Sequence, residues 1–236
     1  MPPKTKHCLG ILGLDCGPPS GQTSPSPLPG SLQSSATFGL DVVTEVVPGA
    51  SADVVMRGDP SLEPAYVAAA CRLVERGAVV ISADCGFSVR HQAAVAASVN
   101  VPVVMSSLVL VPALLRQLSS NAKLAIVTAD AGEFSEDLLG ISDPAERARV
   151  VVGGIEHTTS YRNMMMDPPQ PTELRDIEED VAGCIEQLRA AHPEIGAVVV
   201  TCTGLPIAMP AIRRATALPV YDITTICRLT LESVGA

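Results

Sequence analysis

The chain has 236 residues, of which 47% are hydrophobic and 3% are aromatic, and it contains no Trp. This content is enough to bury one large core or two small ones, built mainly from Val, Ala, Leu and Ile. The net charge of −9, without a cluster of Lys or Arg, argues against nucleic acid and anionic membranes as partners.

The N-terminal stretch MPPKTKHCLGILGLD carries two lysines followed by a short apolar run. The run is too short for a transmembrane helix and no small-residue cleavage site follows it, so it predicts a first buried strand. The seven cysteines are odd in number and include no CxxC pair, which argues against a disulfide framework or a zinc site. We therefore expect a reduced, cytoplasmic protein that binds no metal.

Strand and helix patterns alternate along the chain. Apolar, β-branched runs predict strands at residues 9–14, 42–47, 78–83, 101–106, 124–129, 150–155, 197–202 and 218–223. Helical spacing of apolar residues predicts helices at 63–77, 90–99, 110–118 and 174–192. This alternation is typical of an α/β fold in which a parallel sheet carries helices on both faces.

Two segments break the alternation. Residues 17–39 are rich in Pro, Ser and Gly and predict a long loop, either a binding loop or lid or a disordered segment. Residues 158–173 form a second irregular stretch that contains three consecutive methionines, which we interpret as adaptable packing rather than a cofactor site.

The chain contains an internal repeat centred on two cysteines. Cys85 precedes Pro102 by 17 positions, and Cys202 precedes Pro219 by the same interval. Each copy reads as an apolar strand, a cysteine turn, a helix and a Pro-Val strand start. The sequence therefore predicts two similar α/β lobes, each with a cysteine at the carboxyl end of a strand, where open parallel sheets bind ligands.

Two such cysteines suggest proton-transfer chemistry. A thiol near the start of a helix has a lowered pKa and can act as a general acid or base. Two thiols on opposite faces of a carbon could remove and return a proton without a cofactor, and the chain lacks a GxGxxG or P-loop pattern. The alternative is that both are buried turn cysteines without chemistry.

These motifs resemble the aspartate/glutamate racemase superfamily, which includes hydantoin racemases, maleate isomerases, arylmalonate decarboxylases and some dimethylsulfoniopropionate lyases. The resemblance covers nearly the whole chain and rests on GILGLDCG, LPGSLQSSATFGLDV, VVPGA, SADCGF, VPVVMSSL, AIVTADAGEF, VVVTCTGLP and LPVYDITT. It implies two flavodoxin-like lobes related by a pseudo-two-fold axis, with the active site in the cleft between them. The lobes would be residues 1–108 with 220–236, and residues 109–219.

The resemblance also implies roles for individual residues. Cys85 and Cys202 would be the catalytic acid–base pair. Backbone N–H groups and small polar side chains near them would bind a substrate carboxylate; the candidates are Asp15, Gly86, Phe87, Ser106, Ser107, Thr128, Thr203 and Gly204. For the hydroxyl residues, ordinary hydrogen bonding at strand ends is the alternative.

This chain departs from the glutamate racemase pattern at both turns. Those enzymes typically have Cys-Asn-Thr and Cys-Thr-His, whereas this chain has Cys85-Gly86-Phe87 and Cys202-Thr203-Gly204. The missing amide and imidazole leave amino-acid recognition without its usual side chains. Asp84 could face the cleft, but we expect it to cap the helix that follows, because a carboxylate near Cys85 would raise its pKa.

Three functions fit the sequence. The first is a cofactor-independent racemase or epimerase of a small amino acid or related carboxylate, using two-base proton transfer between the cysteines. The second is a lyase, decarboxylase or cis-trans isomerase on the same scaffold. The third is a non-catalytic small-molecule binding protein. Homodimers are common in the superfamily, so a dimer is also expected.

Overall fold

Strands and helices alternate along the chain as predicted, and they form two α/β units. The computed structural model describes residues 7–16, 27–166 and 169–236. One unit comprises the chain up to Ser106 together with Ile223–Ala236, and the other is Ser107–Asp222. No helix in these ranges is long and apolar enough to cross a membrane.

The first unit is built on a four-stranded parallel sheet in the order β2-β1-β3-β4. Its strands are β1 (Cys8–Gly13), β2 (Asp41–Val46), β3 (Ala78–Ala83) and β4 (Val103–Val104). Its helices are α1 (Ser35–Phe38), α2 (Ala52–Arg57), α3 (Glu63–Glu75), α4 (Gln92–Ser98) and α10 (Ile223–Ser233).

The second unit repeats this arrangement with the sheet order β6-β5-β7-β8. Its strands are β5 (Lys123–Thr128), β6 (Val150–Gly154), β7 (Ile195–Val200) and β8 (Val220–Tyr221). Its helices are α5 (Val111–Gln117), α6 (Pro144–Arg147), α7 (Thr159–Met164), α8 (Leu174–Ala191) and α9 (Met209–Thr216). Both orders begin the 2-1-3-4 pattern of flavodoxin-like sheets.

The central strands are buried because helices cover both faces of each sheet. All six residues of β1 are buried, and five of six in both β3 and β7. Gly10 lets α3 approach β1, since a Cβ there would lie 2.9 Å from the Cβ of Ala78 and 3.1 Å from a methyl carbon of Leu73. Such continuous apolar runs are what a parallel sheet buried on two faces requires.

The strand β2 lies at an edge of the first sheet as the described residues form it. Glu45 on this strand accepts a hydrogen bond from Nε of Arg72 at 2.6 Å and another from Nη1 of Arg76 at 2.7 Å. Both arginines come from the end of α3, so the ion pairs attach the edge strand to the helix that covers it.

The duplication extends to individual hydrogen bonds. Ile81 N–H donates to the carbonyl of Pro102 at 3.0 Å, and 117 positions later Val198 N–H donates to the carbonyl of Pro219 at 2.9 Å. The pairings of β1 with β3 and of β5 with β7 shift register at the same point, after their first residue pair. The two cysteine turns are therefore structurally equivalent, as well as similar in sequence.

The structure differs from the predicted organisation in three places. The first unit resumes at Ile223 rather than at 220, because β8 pairs with β7, and the first boundary falls after Ser106 rather than after 108. The predicted loop at 17–39 contains the short helix α1, which ends at Gly39 with a left-handed φ of 75°. Residues 17–26 of that loop lie outside the described residues.

Candidate functional site

The first cysteine turn follows β3 directly. The Asp84 N–H donates to the carbonyl of Leu12 at 2.9 Å, which places the turn beside the end of β1. Cys85 is half-buried and occupies the N-cap position of a 3₁₀ turn, Gly86–His91, that leads into α4. Its carbonyl accepts a hydrogen bond from the N–H of Ser88 at 3.0 Å.

The side chains of Tyr66, Ser88 and His91 form a buried polar cluster at this turn. The hydroxyls of Tyr66 and Ser88 lie 2.9 Å apart, and the rings of Tyr66 and His91 stack with centroids 4.5 Å apart. All three side chains are at least 97% buried. Burial raises the pKa of Tyr66 to about 12 and lowers the pKa of His91, so both are neutral at pH 7.

Two carboxylates lie at the same end of the first sheet. The Oδ2 atom of Asp84 accepts a hydrogen bond from Nε2 of Gln33 at 2.8 Å, so the described part of the 17–39 loop is anchored beside Cys85. The residue at the N-cap position is Cys85, not Asp84. The Oδ2 atom of Asp15 accepts a hydrogen bond from the N–H of Gly49 at 2.9 Å.

The second cysteine turn follows β7 in the same way. The Thr201 N–H donates to the carbonyl of Val127 at 2.9 Å, which is the equivalent of the Asp84 bond in the first unit. Cys202 is 9% exposed, Thr203 is buried and Gly204 is exposed. A Cβ added to Gly204 would lie 3.9 Å from the Sγ atom of Cys202, so this glycine leaves open space beside the thiol.

Two threonine hydroxyls at this end of the second sheet stand out. Thr128 and Thr201 are at least 98% buried, and their Oγ1 atoms have no hydrogen-bond partner among the described residues. A buried hydroxyl without a partner is costly, and binding sites are where such groups are kept. The predicted residue Ser107, in contrast, donates its hydroxyl proton to the carbonyl of Val200 at 2.8 Å.

The helix α7 brings further side chains to Cys202. The Sγ atom of Cys202 lies 3.7 Å from the Sδ atom of Met164, in the geometry of a thiol donating to a thioether. One turn earlier, the Tyr161 hydroxyl donates to Oδ2 of Asp130 at 2.9 Å. Burial and the neighbouring Asp130 raise the pKa of Tyr161 to about 12.

The three consecutive methionines, Met164, Met165 and Met166, lie in different environments. Met164 contacts Cys202, whereas Met165 and Met166 are 38% and 45% exposed and line an open groove of about 560 Å³ with Tyr161. The sequence predicts adaptable packing for all three methionines, but Met165 and Met166 lie on the surface.

The remaining predicted residues, Gly86, Phe87 and Ser106, are buried in the first unit. Gly86 and Phe87 lie in the 3₁₀ turn after Cys85, where the Arg90 guanidinium lies 5.9 Å from the centre of the Phe87 ring. Ser106 is fully buried at the end of the first unit.

All seven cysteines are thiols in the structure. Cys8, Cys184 and Cys227 are buried in the cores, and burial raises the pKa of Cys184 to about 11. Cys71 is exposed, as is Cys16. Within residues 7–16, 27–166 and 169–236, no group of three or more His, Cys, Asp or Glu side chains is arranged to hold a metal ion.

The chain is similar in sequence to curated dimethylsulfoniopropionate lyases. A dimethylsulfoniopropionate lyase from Durusdinium sp. clade D is 30% identical over 228 residues, which cover 93% of this chain and 73% of that protein. The chain belongs to the dimethylsulfoniopropionate lyase family. Dimethylsulfoniopropionate lyase 3 from Emiliania huxleyi is also 30% identical over 239 residues, and this chain spans 59% of its length. No protein-family model matches the chain.

Solved structures confirm the predicted fold. A variant of arylmalonate decarboxylase aligns over 97% of this chain and 94% of its own, with a TM-score of 0.56 and 17% identity. Glutamate racemase from Francisella tularensis aligns over 98% of this chain and 81% of its own, with a TM-score of 0.55 and 13% identity. Dimethylsulfoniopropionate lyases belong to the aspartate/glutamate racemase superfamily, so the sequence relatives bear out the predicted resemblance.

Sequence reasoning missed five side chains near the two turns. Gln33, Asp130, Tyr161 and Thr201 were not singled out, and Met164 was interpreted as packing only. The one available signal was positional: Asp130 follows β5 by two residues, as Asp15 follows β1.

Proposed function

We propose that the chain is a lyase that releases dimethyl sulfide from dimethylsulfoniopropionate without a cofactor. The observation that supports this most strongly is the 30% identity over 93% of the chain to a protein named for that activity. The lyase alternative of the sequence analysis is thus favoured over the racemase. The two equivalent cysteine turns supply the acid–base groups that such a reaction needs.

The proposed reaction is a β-elimination. A cysteine thiolate removes a proton from the carbon next to the substrate carboxylate. The electron pair of that C–H bond forms the new C=C bond, and the bond from the β carbon to the sulfonium sulfur breaks with its electrons moving to sulfur. The products are acrylate and dimethyl sulfide, and the thiol later returns its proton to water.

Buried hydroxyls could bind the substrate carboxylate in this scheme. Thr128 and Thr201 have donors without partners at the strand ends next to Cys202, and an anionic carboxylate is a strong acceptor for them. We propose Cys85 and Cys202 as the catalytic residues and these threonines as substrate donors.

A direct assay tests the proposal. The purified chain is incubated with dimethylsulfoniopropionate, and dimethyl sulfide in the headspace is measured by gas chromatography while acrylate is measured by liquid chromatography. We compare Cys85→Ser with Cys202→Ser, and we expect loss of the cysteine that acts as base to lower kcat by about 100-fold or more, the usual loss for an acid–base group. Cys71→Ser is the matched control, because Cys71 is exposed on α3 and belongs to neither turn. Absence of product from the wild-type chain would refute the proposal.

Racemisation is a second candidate, since the equivalent cysteines would also serve two-base proton transfer. It predicts solvent deuterium at Cα of recovered aspartate or glutamate in heavy water, without release of a product. Elimination predicts product in stoichiometric amounts, so the two assays separate the candidates.

A further inference from the structure

The contact between Cys202 and Met164 joins two residues that are 38 positions apart. Their sulfur atoms are 3.7 Å from each other, with Cys202 as donor. A Cβ added to Gly204 would lie 3.9 Å from the Sγ atom of Cys202 and 4.0 Å from the Sδ atom of Met164, so both sulfurs border the space at this glycine. Met164 therefore lies beside the thiol on the side that the exposed Gly204 leaves open.

The position of Met164 is fixed by the hydrogen bonds of α7. The Oγ1 atom of Thr158 caps the helix by accepting from the N–H of Tyr161, whose hydroxyl in turn donates to Asp130 at the end of β5. The N–H of Ser160 donates to Oδ2 of Asp180 on α8 at 2.9 Å. A six-residue helix held at these points presents Met164 to Cys202 in one arrangement.

A thioether sulfur accepts hydrogen bonds but cannot donate one, and it carries no charge. It therefore stabilises a neighbouring thiol, which has a proton to donate, and offers nothing to a thiolate. We propose that Met164 is a positioning residue that keeps Cys202 in the protonated thiol form and directs its proton toward the methionine sulfur.

The burial of Cys202 acts in the same direction. Cys202 is 9% exposed and lies in a cluster of buried apolar side chains, against which Tyr161 packs. Low polarity disfavours a thiolate. The charges near α7 are of both signs, since the carboxylates Asp130 and Glu156 raise the pKa of Tyr161 and Arg162 on α7 is a cation.

This inference deepens the proposed function and, for its catalytic consequence, rests on it. The elimination needs a single thiolate as base. If Cys202 is held as a thiol, Cys85 is the residue that removes the proton.

The test measures the thiol directly and needs no substrate. Cys202 and Cys85 are alkylated with iodoacetamide from pH 6 to 10, and each rate is followed by mass spectrometry of the corresponding peptide. Met164→Leu keeps the volume and removes the acceptor, and Met165→Leu makes the same change at the exposed neighbour. We expect Met164→Leu to raise the thiolate fraction of Cys202 at pH 7.5 about two- to fivefold, the effect of one weak hydrogen bond, and Met165→Leu to leave it unchanged.

A further variant keeps the test decisive. Met164→Ile replaces Met164→Leu if that variant does not fold. In the wild-type chain, the alkylation midpoint of Cys202 should lie at higher pH than that of Cys85. Identical Cys202 profiles in the wild type and the apolar variants, or a lower midpoint than Cys85, would overturn the proposal. Neither outcome depends on lyase activity, whose absence would instead count against the proposed function.

Discussion

The unpartnered hydroxyl of Thr128 allows a sharp test of the second cysteine turn. Thr128 is fully buried at the end of β5, and its Oγ1 atom has no hydrogen-bond partner in the described part of the chain. Thr128→Val replaces the hydroxyl with a methyl group of similar size in a strand, where Val is well tolerated. We expect the variant to be more stable than the wild type and less active.

The magnitude follows from the cost of burying a polar group. A buried hydroxyl without a partner costs about 1–3 kcal/mol, so removing it should increase the free energy of unfolding by about 1 kcal/mol. For a chain of this length, that change raises Tm by roughly 2–4 °C. If the hydroxyl binds the substrate carboxylate, losing a hydrogen bond to a charged group should lower kcat/KM by about 10- to 100-fold.

Urea unfolding followed by circular dichroism measures the first effect, and the dimethyl sulfide assay measures the second. Thr216→Val is the matched control. The Thr216 hydroxyl is buried but donates to the carbonyl of Ile212 at 2.8 Å, so its loss should lower stability by about 1 kcal/mol. A Thr128→Val protein that is destabilised like this control, or that keeps full activity, would refute the reasoning.

Three further predictions concern the residues around the thiols. Tyr66→Phe removes the partner of the Ser88 hydroxyl and should lower the free energy of unfolding by about 1–3 kcal/mol, measured with urea. Burial lowers the pKa of His91, so its contribution to the free energy of unfolding is complete above pH ~6.5 and is lost as the pH falls toward the lower pKa of the folded state. His91→Phe should remove this pH dependence from unfolding curves recorded between pH 5 and 7.5. Gly204→Ala adds a methyl group at ordinary contact distance from Cys202, so Tm should stay constant. The KM for the sulfonium substrate should rise, because the methyl group fills space beside the thiol. An unchanged KM would show that the substrate does not use this space.

Buried strands were predicted well because their signal is local. The run at 78–83 matches β3 residue for residue, since Gly77 and Asp84 end the apolar stretch on either side. The apolar run at 218–223, predicted to be a strand, matches the structure less well. Only Val220 and Tyr221 form a strand there, and α10 begins at Ile223. The buried apolar residues of α10 (Ile223, Ile226, Cys227 and Leu231) follow helical spacing, but their β-branched neighbours hid it.

The parts of the site that are formed by residues close together in the sequence were predictable. Each cysteine turn lies in a strand, a turn and a helix that together span no more than 22 residues, so the repeat revealed the equivalence of Cys85 and Cys202. Contacts that cross between elements left no such pattern. Gln33 reaches Asp84 across 51 positions, and Met164 reaches Cys202 across 38 from an irregular stretch. Only the folded chain decides which residue of a loop meets a distant turn.

The ion pairs on the outer strand of the first sheet bear on how the protein behaves at high concentration. A parallel sheet ends in a row of backbone groups that could pair with another chain, and a charge on that strand opposes such pairing. Glu45, held by Arg72 and Arg76, puts charge on this border. Variants that neutralise it for other purposes should therefore be checked for aggregation before any loss of activity is attributed to the active site.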